Sequence, residues 1–220
     1  MSQEKYTDTI VWLPTFNEEM SVAKMIFDIR ELGFEVRLTD GGSTDNTVAI
    51  AQEADVKVLM RSGKHKGFGI QRALEESSKQ GFKKMIYIDC DQTYPVSKLP
   101  EIYELGKTYD MVIGARDFSK IALPNRMANH LFTGLINLLF RANLADTQSG
   151  LRLLSVSAFE GRLHSSAFDI ETELSCLSLK RKLKMIELPI DYFERVGESK
   201  TSVIQALIIL KRIFICRFIN

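Results

Sequence analysis

Met85-Ile86-Tyr87-Ile88-Asp89-Cys90-Asp91 is four apolar residues that stop abruptly at two acids one residue apart. A short apolar run bounded by polar residues reads as a buried strand. The same figure recurs at Thr9–Leu13, Val36–Thr39, Val56–Leu59 and Met111–Ile113. Segments with helical periodicity lie between the runs, at about 18–32, 44–54, 67–80 and 97–107. Strands that alternate with helices predict an α/β fold, with a mixed, mainly parallel sheet flanked by helices. Such sheets bind ligands beyond the carboxyl ends of their strands. Those ends are polar here: Pro14-Thr15-Phe16-Asn17-Glu18, Asp40-Gly41-Gly42-Ser43-Thr44-Asp45, Arg61 to Gly67, Asp89-Cys90-Asp91 and Gly114-Ala115-Arg116. Five polar strand ends predict one composite site.

Beyond residue 116 the pattern changes. Residues 124–142 form one apolar helical segment, followed by the polar turn Asp146-Thr147-Gln148-Ser149-Gly150. A short strand is expected at Arg152–Leu154, a helix at about 169–181, and extended pieces at Met185–Leu188 and Pro189–Phe193. The basic and apolar segment Val203–Ile219 reads as a C-terminal helix. No internal repeat is present.

Composition narrows the function classes. The chain has 220 residues, 45% hydrophobic and 26% charged, enough for one sizeable domain. Its 29 basic and 28 acidic residues leave no surplus for neutralising a phosphate backbone, so no nucleic acid partner is expected. Three scattered cysteines, without a CxxC pair, speak against zinc and disulfides and fit a reducing compartment. The polar N-terminus lacks a signal-peptide core. Lys211, Arg212 and Arg217 interrupt the final apolar stretch, which argues against a spanning helix and allows a surface-lying one.

Asp89 and Asp91 are spaced to reach one divalent cation, and hard oxygen ligands suit Mg2+ or Mn2+. Such an ion bridges a diphosphate and stabilises a departing nucleotide. The bland alternative is a pair of solvated loop acids. Residues 40–47 also read two ways: a glycine turn before a helix capped by Ser43 or Thr44, or a nucleotide contact in which Asp40 accepts hydrogen bonds from base or ribose. Lys64 to Gly69 is either a phosphate-binding basic loop or a solvated one. The first strand ends in PTFNE and lacks the glycine fingerprint of a nucleotide-binding dehydrogenase.

Taken in order, PTFNE at 14–18, DGGSTDNT at 40–47, KGFG at 66–69, DCDQTYP at 89–95, GAR at 114–116, DTQSGLR at 146–152, FDIETEL at 168–174 and RVGESK at 195–200 span nearly the whole chain. Through them it resembles family 2 glycosyltransferases of the GT-A fold, especially the dolichyl-phosphate mannose or glucose synthase branch. The resemblance implies an inverting, metal-dependent transfer of a hexose from GDP-mannose or UDP-glucose to a polyprenyl or dolichyl phosphate. It implies that Pro14, Thr15, Phe16, Glu18, Asp40, Gly41, Gly42, Lys66, Gly67 and Cys90 hold the nucleotide-sugar. Asp89 and Asp91 would hold the diphosphate through Mg2+ or Mn2+. Arg116, Arg126, Ser149, Arg195 and Lys200 would bind the acceptor phosphate, with Asp89, Asp91, Arg116 and Arg195 catalytic.

In one departure, Thr93 stands where some mannose synthases place a glutamine that ligates the metal; its hydroxyl is expected to reach the ion through water. Transfer to a sugar hydroxyl needs a carboxylate base. Asp146, Asp169, Glu171 and Glu173 are available, none singled out, and RVGESK favours a phosphate acceptor instead. Transfer to a sugar hydroxyl, and a non-catalytic nucleotide-sugar-binding subunit beside a membrane-protein partner, stay open as alternatives. The expected organisation is a single domain: a nucleotide-sugar half at 1–116, an acceptor half at 117–200 and an amphipathic helix at 201–220. The chain is expected to be cytoplasmic and peripheral on the cytoplasmic face of the membrane. The last helix either packs on the domain or lies on an anionic bilayer.

Overall fold

A computed structural model describes residues 6–61, 63, 65–121, 123–165, 167–196 and 203–219. Its centre is a seven-stranded sheet. The strands are β1 (Thr9–Thr15), β2 (Glu35–Asp40), β3 (Val58–Met60), β4 (Lys84–Ile88), β5 (Met111–Arg116), β6 (Leu151–Ser155) and β7 (Met185–Ile190). Their order is β3-β2-β1-β4-β6-β5-β7, with β6 antiparallel to both neighbours and every other pairing parallel. The strand order reverses between β1 and β4. That reversal opens the crevice in which sheets of this type bind ligands, and it places residues 14–18 beside residues 89–91.

Strand periodicity builds both faces of the core. Along β1, Ile10 and Trp12 point to one side, Val11 and Leu13 to the other; along β4, Met85 and Tyr87 oppose Ile86 and Ile88. The face with Val11 and Ile86 is covered by α1 (Val22–Glu31), α2 (Thr47–Glu53) and α4 (Leu99–Gly106). The face with Trp12 and Tyr87 is covered by α3 (Lys66–Lys79), the short α6 (Val156–Phe159) and α7 (Ile170–Lys180). Burial on both faces explains why these strands read as continuous apolar runs. Each large side chain buried this way contributes about 1.5–3 kcal/mol. Trp12 keeps its indole N–H satisfied by donating to Ser77 Oγ at 2.9 Å.

A third, smaller core lies outside the sheet. Phe132 and Ile136 of α5 (Leu123–Phe140) meet Cys176 of α7 and Ile213 and Cys216 of α8 (Val203–Phe218). α8 therefore packs on the domain. Of its three expected membrane-facing cations, two are turned to that packing: Arg212 Nε reaches Asp169 Oδ2 at 2.5 Å and Arg217 Nε donates to the Leu139 carbonyl at 3.0 Å. All three cysteines are buried free thiols. Among the described residues no helix is long and apolar enough to cross a membrane.

Several boundaries differ from the sequence reading. α5 ends at Phe140 because Arg141 adopts a left-handed backbone, φ 55°, and the chain turns back with Ala142 N donating to the Asn137 carbonyl at 3.0 Å. The two extended pieces around Pro189 are one strand, β7. It lies at the sheet edge and pairs only with β5, so a residue without an N–H is tolerated there. Neither Ser43 nor Thr44 caps α2, whose N-cap is Asn46; Asp45 instead accepts from Thr47 N at 3.0 Å and from the Thr47 hydroxyl at 2.5 Å. Lys66 to Gly69 is the first turn of α3 and not a loop.

Candidate active site

The ends of β1 and β2 are tied to each other by neutral donors. Asp40 is fully buried, and its carboxylate accepts from Gly42 N, Ser43 N, the Ser43 hydroxyl and the Thr15 hydroxyl at 2.6–2.9 Å. Gly42 turns the chain with φ 84°, a backbone that glycine adopts at little cost. Gly41 N donates to the Thr15 carbonyl at 3.0 Å, and Asn17, at φ 54°, accepts from Thr44 N at 2.8 Å. Asp40 thus gives its oxygens to its own turn and to Thr15. Asp40, Gly41 and Gly42 stand behind the site and shape it.

The cleft itself encloses about 290 Å3. Pro14, Thr15, Phe16 and Glu18 form one side, with Arg61 and Lys66; Asp89, Cys90 and Asp91 form the floor. Arg61 Nη2 donates to the Thr15 carbonyl at 3.0 Å. Burial pulls its guanidinium down to about 10, against the pull of Asp40, so it remains a cation at neutral pH. Burial pushes the Cys90 thiol up, which leaves it inert as a nucleophile.

The two acids that follow β4 are each held by a cation from elsewhere in the chain. Lys66 Nζ lies 2.5 Å from Asp89 Oδ1 and 2.5 Å from Glu171 Oε1. Burial disfavours the Lys66 ammonium, but Asp89 and Glu171 outweigh it and hold the group charged. Asp91 Oδ2 pairs with Arg195 Nη2 at 2.5 Å, while Oδ1 accepts from Thr93 N at 3.1 Å and the Thr93 hydroxyl at 2.6 Å. Thr93 therefore steadies Asp91 and does not face the cleft as the expected water-bridged ligand. Gly150 packs directly on the Asp89 carboxylate, where a Cβ would collide with it, and Gly150 N donates to Tyr94 Oη at 2.7 Å. Two carboxylates lining a cleft are suitable oxygen donors for Mg2+ or Mn2+, so the residues fit such an ion once the paired cations give way.

The opposite wall comes from β5, α5, the turn before β6, α7 and α8, with Arg116, Asn125, Asn129, Phe132, Gln148, Glu171 and Gln205 among its residues. Arg116 is clamped by the buried Asp146, with Nε–Oδ2 2.6 Å and Nη2–Oδ1 2.9 Å, and stacks near Tyr192 at 5.3 Å. Breaking a buried pair of this kind costs about 3–5 kcal/mol. Ser149 is fully buried and donates to the Gly114 carbonyl at 2.5 Å, so it braces the turn behind the cleft. Arg126 sits half-buried on α5 and is not among the cleft-lining residues; Gly67 donates its N–H to the Ala167 carbonyl at 3.1 Å. Lys200 and the end of the RVGESK stretch lie outside the described residues.

Three of the four carboxylates considered as a base are committed. Asp146 holds Arg116; Asp169 bonds the Ser165 hydroxyl and Arg212; Glu173 accepts from His164 N and Ser165 N and pairs with Arg212. Glu171 alone of the four lines the cleft, and it carries Lys66. Sequence reasoning grouped it with its neighbours; the helical offset that turns it inward, while Glu173 turns to the 164–165 backbone, is visible only once α7 is placed. Tyr94, Gln148, Asn125, Asn129 and Gly150 were also missed, although DCDQTYP and DTQSGLR contain three of them.

Residues 10–163 match the family described as Glycosyl transferase family 2. The chain is 32% identical over 197 residues to the glycosyltransferase AglJ of Haloferax volcanii, which covers 86% of this chain and 64% of AglJ. It is 29% identical over 213 residues to a dolichyl-phosphate hexose transferase of the same organism, covering 91% of this chain and 89% of the relative. Glucosyl-3-phosphoglycerate synthase from Mycobacterium tuberculosis, solved with Mn2+, uridine diphosphate and phosphoglyceric acid, superposes with a TM-score of 0.80 at 17% identity, over 96% of this chain and 79% of that one. That likeness establishes the GT-A fold.

Proposed function

The chain belongs to glycosyl transferase family 2, and from that premise we propose that it moves a hexose from GDP-mannose or UDP-glucose to a polyprenyl or dolichyl phosphate with inversion. One observation carries the choice of acceptor. Asp146, Asp169 and Glu173 are all committed to partners and Glu171 is held by Lys66, while Arg116 and Arg195 line the same cleft as the acid pair. A hydroxyl acceptor needs a base; a phosphate oxygen is ionised already and needs cations. The name of the dolichyl-phosphate hexose transferase relative supports the same acceptor.

In this reading the nucleoside lies against Pro14, Phe16 and Glu18, and the diphosphate lies over Asp89 and Asp91. Asp89 and Asp91 would hold Mg2+ or Mn2+, which supplies charge stabilisation for the leaving diphosphate. Arg195 and Arg116 steer the acceptor phosphate, and Asp146 fixes the Arg116 fork so that it keeps its orientation as the ligand arrives. An acceptor oxygen bonds the anomeric carbon as the bond to the nucleotide breaks, so one displacement inverts the centre. Residues 1–116 serve the donor and 117–200 the acceptor. The enzyme sits peripherally on the cytoplasmic face of a membrane. Exposed apolar stripes support that placement: Leu123, Met127 and Leu131 recur every fourth residue on α5, and Ile204, Leu207, Phe214 and Phe218 share helical spacing on α8.

The test is a donor screen with purified protein, Mn2+ or Mg2+, radiolabelled UDP- and GDP-sugars and polyprenyl phosphate in detergent. Label is expected to enter the lipid phase and to be lost with chelator. Label that enters only a sugar hydroxyl acceptor, with dependence on Glu171, would replace this reading by the second one, which the inward position of Glu171 favours.

A further inference from the structure

Lys66 occupies an unusual place. It is the first residue of α3, where the helix dipole disfavours a cation, and the N-cap His65 offers no side-chain cap. Its side chain is only 11% exposed and lies against two carboxylates, Asp89 from the end of β4 and Glu171 from the first turn of α7. The acids, not the helix, set the position of the ammonium. Gly67 N is fastened to the Ala167 carbonyl just ahead of α7, so the backbone beside Lys66 stays put if the side chain moves.

We propose that Lys66 is a resident counter-cation that a divalent ion displaces from Asp89, and that Glu171 retains the displaced ammonium inside the protein. The inference rests on the reading of Asp89 and Asp91 as metal-holding residues and deepens it. A cation 2.5 Å from Asp89 Oδ1 competes directly for the lone pairs that a metal needs. Removing Asp89 from its partner would ordinarily strand a buried ammonium. The second carboxylate, equally close, avoids that cost because Lys66 can shift its weight to Glu171 without returning to water. A nucleoside diphosphate brings further negative charge, which draws Lys66 from Asp89 as it draws the metal in. Metal alone therefore binds weakly, and metal with nucleotide binds well.

The experiment titrates Mn2+, followed by electron paramagnetic resonance of the free ion, into wild-type protein, Lys66→Met and Glu171→Gln, each without nucleotide and with UDP or GDP. Thermal melts confirm that each variant is folded, and Lys66→Gln provides the same readout if the methionine variant is not. Without nucleotide, Lys66→Met is expected to bind Mn2+ about tenfold more tightly than wild type, since a contacting like charge is gone. Glu171→Gln is expected to bind it more weakly, because Lys66 then has Asp89 alone. Wild type that gains Mn2+ affinity with nucleotide, alongside a Lys66→Met protein that binds Mn2+ alone no better than wild type, overturns the inference and leaves the proposed function standing. No Mn2+ bound by either protein under any condition overturns both.

Discussion

Asp40 closes β2 and Asp91 lies just beyond the end of β4 in the same sheet, and both are almost completely buried. Their partners differ in kind. Asp40 accepts hydrogen bonds from neutral donors within its own turn and from the Thr15 hydroxyl beside it, with the Arg61 guanidinium near enough to feel its charge. Asp91 shares one oxygen with Thr93 and gives the other to Arg195, a long side chain that is itself 33% exposed. An acid satisfied by fixed backbone N–H groups has no reason to let them go. An acid satisfied by a flexible cation at the edge of solvent can exchange that cation for another. The contrast separates a carboxylate locked into its own turn from one that can change partners, as the proposed function asks of it.

Substitution of the two acids should pull the contrast apart. Asp91→Asn is expected to lower turnover by about a thousandfold, the scale of losing a central electrostatic group, without lowering the melting temperature. Burial first, then the charge of Asp89, push the Asp91 carboxyl above its usual value of 3.8, against Arg195 and Thr93, which pull it down. A carboxyl raised in the folded state binds more protons there than when unfolded, so its contribution to stability falls as pH rises from 3.8 through the raised value. At neutral pH the ionised group costs stability that asparagine does not. Calorimetry of Asp91→Asn should therefore show a melting point at or above wild type at pH 7, with the gap closing in acid. A clear drop at pH 7 would make Asp91 a structural acid like Asp40.

Asp40→Ala should do the reverse. It leaves several buried donors unpaired and should cost roughly 2–4 kcal/mol by denaturant titration, with donor affinity falling only as the turn loosens. An unchanged midpoint would remove the distinction. Between these extremes lies Gly150→Ala, which displaces the Asp89 carboxylate without touching any charge. Its expected signature is a roughly ten- to hundredfold fall in kcat/KM, in keeping with a small misplacement at a reacting centre, and a smaller loss of stability. Full activity in that variant would mean that the position of Asp89 is not critical.

The first half of the fold was readable because each strand is an apolar run interrupted by polar turns, and burial on both faces makes such runs conspicuous. That Asp89, Asp91 and Arg195 would share one cleft was readable too, because they follow a strand or match a short motif. What escaped was pairing across the chain. Nothing near Lys66 announces that its ammonium meets both Asp89 and Glu171, and nothing in DTQSG says that Ser149 turns away while Gly150 lies against an acid. Asp40 looked like a ligand because its neighbours are polar, yet those neighbours are what saturate it. Short-range pattern reveals where polar groups gather and leaves open which of them satisfy one another.

The antiparallel β6 has a consequence for how this molecule can be taken apart. It comes from the later part of the chain, yet it is inserted between β4 and β5, both from the first 116 residues. Because it runs backwards, its beginning lies at the carboxyl ends of its neighbours, and that is how the turn holding Asp146 and Gly150 enters the site. If the two halves divide donor from acceptor as proposed, those duties are woven through one sheet, like warp and weft. A chimera joined after residue 116 would cut no linker; it would remove the thread between two strands, so new acceptor preferences in this scaffold have to be grafted onto helices and turns and cannot be imported as a module.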